Sequence, residues 1–188
     1  ANFFIKPFNS EKHKVTADKF IKSEPKIALG FYQKAVEHSP NNFEYRRIAG
    51  ELFYGDGMIL ETIKNLKKSI ELNPKNPFAF TSLSNIYYEL SEFNKAEYYT
   101  LKAIDIEPNY LTARYFLAKI NEKQNKIESA LKEYTDIISI YKFFSGASFS
   151  SGYEKTLLSI DISSVYNSLG FLQMNIGKHN DAISNYNF

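Results

Sequence analysis

The sequence predicts an all-α fold: a right-handed superhelical solenoid of antiparallel helix pairs, about five in number with the last incomplete. Three observations predict it. Pro40, Pro74 and Pro108 stand 34 residues apart and then 34 again. Three further rows keep the same step: Ala28, Thr62, Ala96 and Ala130; Tyr32, Leu66, Thr100 and Tyr134; Ala35, Ser69, Ala103 and Ile137. Between the prolines the apolar residues fall at helical spacing. A fixed period of this size is the signature of stacked helix pairs, each burying its apolar face on the next.

Residues 1–9 carry four apolar side chains around Pro7 without a helical period and are expected to form an extended N-terminal arm. The solenoid is expected over 10–188, with repeats at approximately 10–42, 43–76, 77–110, 111–142 and 163–188, and an insertion at 143–162. Ser10 is the expected cap of a first helix running to about Lys22. Ser23-Glu24-Pro25 then reads as a helix start, with Ser23 as N-cap and Pro25 in the first turn, where its missing N–H costs nothing. In the second repeat Gly55-Asp56-Gly57 supplies the turn between helices, because glycine tolerates the positive φ of a tight reversal. A second helix is expected over about 59–72. In the third repeat Ala96 and Ala103 are small where two helices must approach closely. In the fourth, Lys142 stands where the proline should be, so its helix is expected to continue through Phe143 and Phe144. The register then slips: Leu117 to Leu169 and Ala130 to Ala182 are each 52 residues, one period plus 18. Ser145 to Gly152 reads as a flexible Ser/Gly-rich loop, and a helical stretch over 153–162 is expected to lead into the next repeat. Tyr166, Leu169, Gly170, Gly177, Ala182 and Tyr186 restart the pattern, whose truncation leaves an apolar flank exposed.

The best copy of the repeat is Phe80, Leu83, Tyr87, Ala96, Ala103 and Pro108, and through it the chain resembles the tetratricopeptide repeat (TPR) family. The resemblance is in register over roughly residues 43–141. It implies a non-catalytic protein–protein interaction scaffold that binds a peptide segment or partner protein in a concave aromatic groove lined by the first helix of each pair. Ligand contacts in the family come largely from repeat positions 2, 5, 9, 12 and 13. Carried onto this chain they are Arg47, Glu51, Tyr54 and Gly55; Phe78, Thr81, Asn85, Tyr88 and Glu89; Thr112, Tyr115, Lys119, Glu122 and Lys123; and Asn167, Phe171, Met174 and Asn175. Aromatic anchors with a charged rim are the usual energetic pattern of peptide recognition, and aromatics at helical spacing also serve as core. The subtype that clamps an acidic tail between paired cations is not matched: Arg47 with Glu51, Asn85, and Thr112 with Phe116 stand in its register, and only Asn85 fits. A self-assembly module acting through the incomplete terminal repeat, and a targeting domain of a larger enzyme or complex, remain as alternatives.

Composition bounds the rest. An apolar content of 44% with 16% aromatics excludes a disordered chain, and the apolar runs are too short to cross a bilayer, so a soluble protein is expected, with cytoplasm and periplasm both compatible. A net charge of +2, from 23 basic and 21 acidic residues, argues against nucleic acid as partner. Zero cysteines remove disulfides, thiolate nucleophiles and thiolate metal sites. His13 and His38 fall in the first repeat and His179 in the last, and no metal or cofactor motif accompanies them. Gly170 to Lys178 spaces its glycines too widely for a phosphate loop. No enzyme activity, cofactor or metal is therefore expected. The start at Ala1 and the stop at Phe188 within a helical pattern give the look of an excised or processed piece.

Overall fold

A computed structural model describes residues 5–145 and 152–186 of the 188-residue chain. All regular structure among the described residues is α-helical, in eleven helices: α1 (Ile5–Phe20), α2 (Pro25–His38), α3 (Phe43–Gly55), α4 (Ile59–Leu72), α5 (Pro77–Glu89), α6 (Phe93–Ile106), α7 (Leu111–Lys123), α8 (Ile127–Phe144), α9 (Gly152–Leu157), α10 (Ile162–Asn175) and α11 (His179–Tyr186). Two compact units divide between Ile86 and Tyr87.

The first unit packs α1 on α2 and α3 on α4 around Ala17, Ala28, Tyr32, Ala35, Tyr45, Ala49 and Phe53. The second packs α7 on α8 and α10 on α11 around Leu111, Ala118, Ala130, Tyr134, Ile137, Val165 and Leu169. All twelve residues of the three sequence rows are 0% exposed. Their recurrence therefore reflects one packing constraint applied in each pair: a small residue where helices meet and a filler between them.

The prolines sit in one repeated turn. Asn42, Asn76 and Tyr110 donate their N–H groups to the carbonyls of Ser39, Asn73 and Glu107, at 3.1, 3.2 and 3.0 Å. Proline occupies the second position each time, where its fixed φ fits a β-turn and no donor is needed. The side chains of Asn42 and Asn76 then cap α3 and α5, accepting from Glu44 and Tyr45 N–H and from Phe78 N–H.

The turn inside four of the five pairs repeats as well. Gly57, Ser91, Asn125 and Gly177 all have φ between +58° and +79°. The residue after each donates back to the carbonyl of Phe53, Tyr87, Asn121 or Gln173 at 2.8–2.9 Å, closing a Schellman motif.

Helix boundaries differ from the expectation at three places. α1 starts at Ile5, so an extended arm does not hold over residues 5–9; Pro7 falls in the first turn, where a helix tolerates it. Residues 1–4 lie outside the described ones. Ser10 is not a cap: it is buried within α1, and its hydroxyl accepts from Ser39 Oγ at 2.8 Å. Glu24, not Ser23, caps α2, without a side-chain bond and with Pro25 following. α4 spans residues 59–72 as expected, and α8 runs on to Phe144 where the proline is missing. Of the Ser/Gly-rich loop, residues 146–151 lie outside the described ones. α9 does not merge with the next helix, because Asp161 caps α10 by accepting from Ser163 N–H.

Candidate functional site

In the first unit Arg47 of α3 is the centre of a polar network. Its Nε donates to Glu44 Oε2 at 3.1 Å and its Nη1 to Glu51 Oε1 at 2.6 Å. Glu51 Oε1 also accepts from Ser82 Oγ at 2.6 Å, and the guanidinium stands 5.9 Å from the centre of the Phe78 ring. Burial works against the charge, but the bond to Glu44 and the charges of Glu51 and Glu44 outweigh it and hold the arginine pKa above its ordinary value. Its donors are thus largely committed within the protein. Tyr54 and Asn85 are half-buried nearby in sequence register, and Thr81 is buried, its hydroxyl donating to the Pro77 carbonyl at 3.0 Å. Thr81 therefore cannot serve as a surface contact: its side chain is too short to reach past its neighbours as Arg47 and Tyr115 do at the equivalent position.

The second unit gathers the aromatic part. The Tyr134 hydroxyl, inside the core, donates to Glu122 Oε1 of α7, and Lys119 Nζ lies 3.6 Å from Glu122 Oε2. The half-buried Tyr115 ring leans on Tyr134 with centroids 5.9 Å apart at 57°. Its hydroxyl stands 3.4 Å from Ser168 Oγ of α10, a residue that the sequence reading did not single out. Tyr88 meets Phe93 edge-on at 5.7 Å. Burial, then the charges of Glu122 and Glu89, raise the Tyr88 pKa, so Tyr88 and Glu122 share one environment. Burial followed by the Glu122 bond pushes the Tyr134 pKa up likewise and keeps that phenol a donor.

Other predicted positions lie around this group. Thr112 donates to the Ser159 carbonyl at 3.3 Å. Glu89 and Asn167 are exposed, and Phe171 and Met174 of α10 are 60% and 41% exposed. Lys123 is exposed and lines a cleft beside the α5–α6 turn. Among the described residues no group of three or more His, Cys, Asp or Glu could hold a metal ion. No helix among them is long and apolar enough to cross a membrane.

Helix pairs in a 34-residue period over the first four repeats, with the proline turn at three joins between pairs and the left-handed turn inside four of the pairs, define a helical-repeat protein. No family model matches the chain. Over 130 residues it is 32% identical to the DnaJ homolog subfamily C member 3 of Bos taurus, a match that covers 66% of this chain and 26% of that protein. The chain thus spans about a quarter of the relative's length. Among solved structures it is similar to MamA, with 22% identity over 91% of this chain and 90% of the other and a TM-score of 0.71. It is also similar to YrrB, described as a TPR protein with an unusual peptide-binding site, with 17% identity, coverage of 92% and 80%, and a TM-score of 0.62. The first TPR of Spaghetti (RPAP3), bound to an HSP90 peptide, matches with 17% identity, coverage of 63% and 95%, and a TM-score of 0.60. The chain has the fold of the tetratricopeptide-repeat proteins.

Proposed function

We propose that this chain is a non-catalytic scaffold that binds a peptide segment or a partner protein on the faces of its first helices. In the second unit the surface consists of Tyr88, Tyr115, Lys119 and Glu122, extended by Asn167, Phe171 and Met174. In the first it consists of Arg47, Glu51, Tyr54, Phe78 and Asn85. The observation that carries the reading is the anchoring of Tyr115 and Glu122 by the buried Tyr134. A rigid aromatic ring beside a fixed carboxylate loses little entropy on binding, which is the property of an interface hot spot. A peptide bound to one protein of the same fold and a peptide-binding site described for another support it.

A random peptide library selected against the wild-type chain tests the reading. Selected peptides are expected to lose about tenfold or more in affinity for the Tyr88→Ala, Tyr115→Ala double variant, with folding confirmed by circular dichroism. Unchanged affinity would move recognition to another face.

A second reading rests on the apolar flank of the last pair, where Ile176, Ile183 and Tyr186 are 41%, 56% and 46% exposed. It makes the chain a self-assembly module. Sedimentation that shifts with concentration in the wild type, but not in Ile183→Asp, would favour it.

A further inference from the structure

At the join before α10 the proline turn of the earlier joins is replaced by an insertion, whose described end is α9 and the non-helical stretch 158–161. Leu158 and Ser159 donate back to the carbonyls of Glu154 and Thr156, each at 3.2 Å, and helix resumes only where Asp161 caps α10. The stretch is nonetheless held in place. Leu157 is 6% exposed, and the half-buried Leu158 and Ile160 pack on the same core cluster as Tyr115. The Thr112 hydroxyl of α7 donates to the Ser159 carbonyl at 3.3 Å.

Thr112 stands three residues before Tyr115 and seven before Lys119, so the three share one face of α7. Its place in the repeat is one that the family resemblance gives to ligand contact. Here the hydroxyl is taken by a main-chain carbonyl of the chain itself, from a segment with apolar side chains on both sides of a serine. That is what a bound peptide would present. α9 makes no extended contact with another helix, so the hold rests on three apolar side chains and one hydrogen bond. A segment with so few ties opens locally at little cost.

We propose that residues 157–160, Leu-Leu-Ser-Ile, are a built-in occupant of the binding surface of the second unit, displaced by a ligand of the same chemistry: a non-helical peptide with apolar side chains on both sides of a small polar residue. The inference rests on the peptide-binding reading given above. A tethered segment competes at an effective concentration on the order of millimolar, so weak ligands are shut out and tighter ones are admitted.

The test uses a fluorescein-labelled peptide copying residues 155–161, read by fluorescence polarisation against the full chain. The variant Leu158→Ser, Ile160→Ser, in which the segment is loosened, is expected to bind it about tenfold or more tighter than the wild type does. A labelled peptide carrying the same two serines is expected to bind neither chain. Thr112→Val added to the loosened chain is expected to weaken the native peptide, because the bond to its serine carbonyl is lost. The proposal is overturned if the loosened chain, folded by circular dichroism, binds no tighter than the wild type, or if the serine peptide binds as well as the native one. Where the loosened chain fails to fold, hydrogen exchange of the wild type decides: the amides of residues 157–160 are expected to exchange faster with millimolar peptide present, and unchanged exchange overturns the proposal. Library peptides that lose affinity for the Tyr88→Ala, Tyr115→Ala variant but gain none for the loosened chain would overturn the built-in occupant and leave the binding surface standing.

Discussion

Arg114 Nη1 donates to Glu133 Oε2 at 2.8 Å while its Nε donates to the Pro108 carbonyl at 2.6 Å, tying α7 to α8 and to the turn before it. Two periods earlier Arg46 does the same with Asn65 and the Pro40 carbonyl, at 3.1 Å each. In the repeat between them Phe80 and Tyr99 hold the two side-chain positions. Arg114 and Glu133 are only 18% and 15% exposed, so removing one partner strands the other. Arg114→Ala is expected to cost about 2–3 kcal/mol in urea unfolding. Arg114→Phe with Glu133→Tyr, which copies the middle repeat, is expected to recover most of that loss, because apolar replacements of a buried pair are commonly tolerated. A double variant no better than Arg114→Ala would show that the repeats are not interchangeable here.

Ser91 occupies the left-handed position that Gly57 and Gly177 fill in other repeats, with φ of +59°. An L side chain at such a φ costs about 1 kcal/mol. Ser91→Gly is expected to raise stability by up to about that amount, and Asn125→Gly by less, since asparagine tolerates the conformation. Gly57→Ala is the converse. No heavy atom lies within 4 Å of the Cβ it would add, so any loss in melting temperature reports backbone strain alone.

Two helical glycines are expected to respond with opposite sign to alanine. A Cβ on Gly50 would stand 2.9 Å from Leu66 Cγ and 3.4 Å from the Thr62 carbonyl, and Leu66 is fully buried. Gly50→Ala should cost about 1–3 kcal/mol. Gly30, inside α2, has no heavy atom within 4 Å of its would-be Cβ, and Gly30→Ala should gain up to about 1 kcal/mol from helix propensity. Gly170→Ala meets the Tyr186 ring at 3.0 Å, but that ring is 46% exposed and free to shift, so a smaller loss is expected. Chemical unfolding of the three variants side by side decides the ranking.

What was legible in the sequence follows from which constraints recur at every repeat. Ala28, Ala96 and Ala130 recur because close helix contact admits only small side chains, and all are fully buried. Gly57 was readable as a turn, whereas Ser91 and Asn125, at the same φ > 0 position, carry no glycine to mark it. The Arg46 and Arg114 ties escaped notice because their spacing is two periods, broken by Phe80. Family positions placed Arg47, Thr81 and Tyr115 on one row, but position cannot say how far a side chain reaches. Threonine turns back to the Pro77 carbonyl, while Tyr115 extends to Ser168. The start of α1 was missed because Pro7 hides a helical stretch that has no apolar period.

His13 and His38 stack face to face, with centroids 5.4 Å apart and planes 5° apart, and the Phe31 ring lies 6.1 Å from His13. Burial lowers the His13 pKa below its ordinary 6.5, and the positive charges of His38 and Lys34 from α2 and Lys12 from α1 lower it further, against a small opposing effect of Glu37. The folded chain therefore takes up this proton less readily than the unfolded one. As pH falls through 6.5 the unfolded state binds the proton first, so the stability present above that value is lost on the way down to the folded pKa. The melting temperature of the wild type is expected to start dropping as pH falls below 6.5, in the window above the carboxylate range, earlier than carboxylate titration alone would bring it down. His13→Phe keeps an aromatic ring against Phe31 and His38 and removes the proton site, so its melting temperature should stay nearly level across that window. A His13→Phe profile parallel to that of the wild type would assign the loss to other groups.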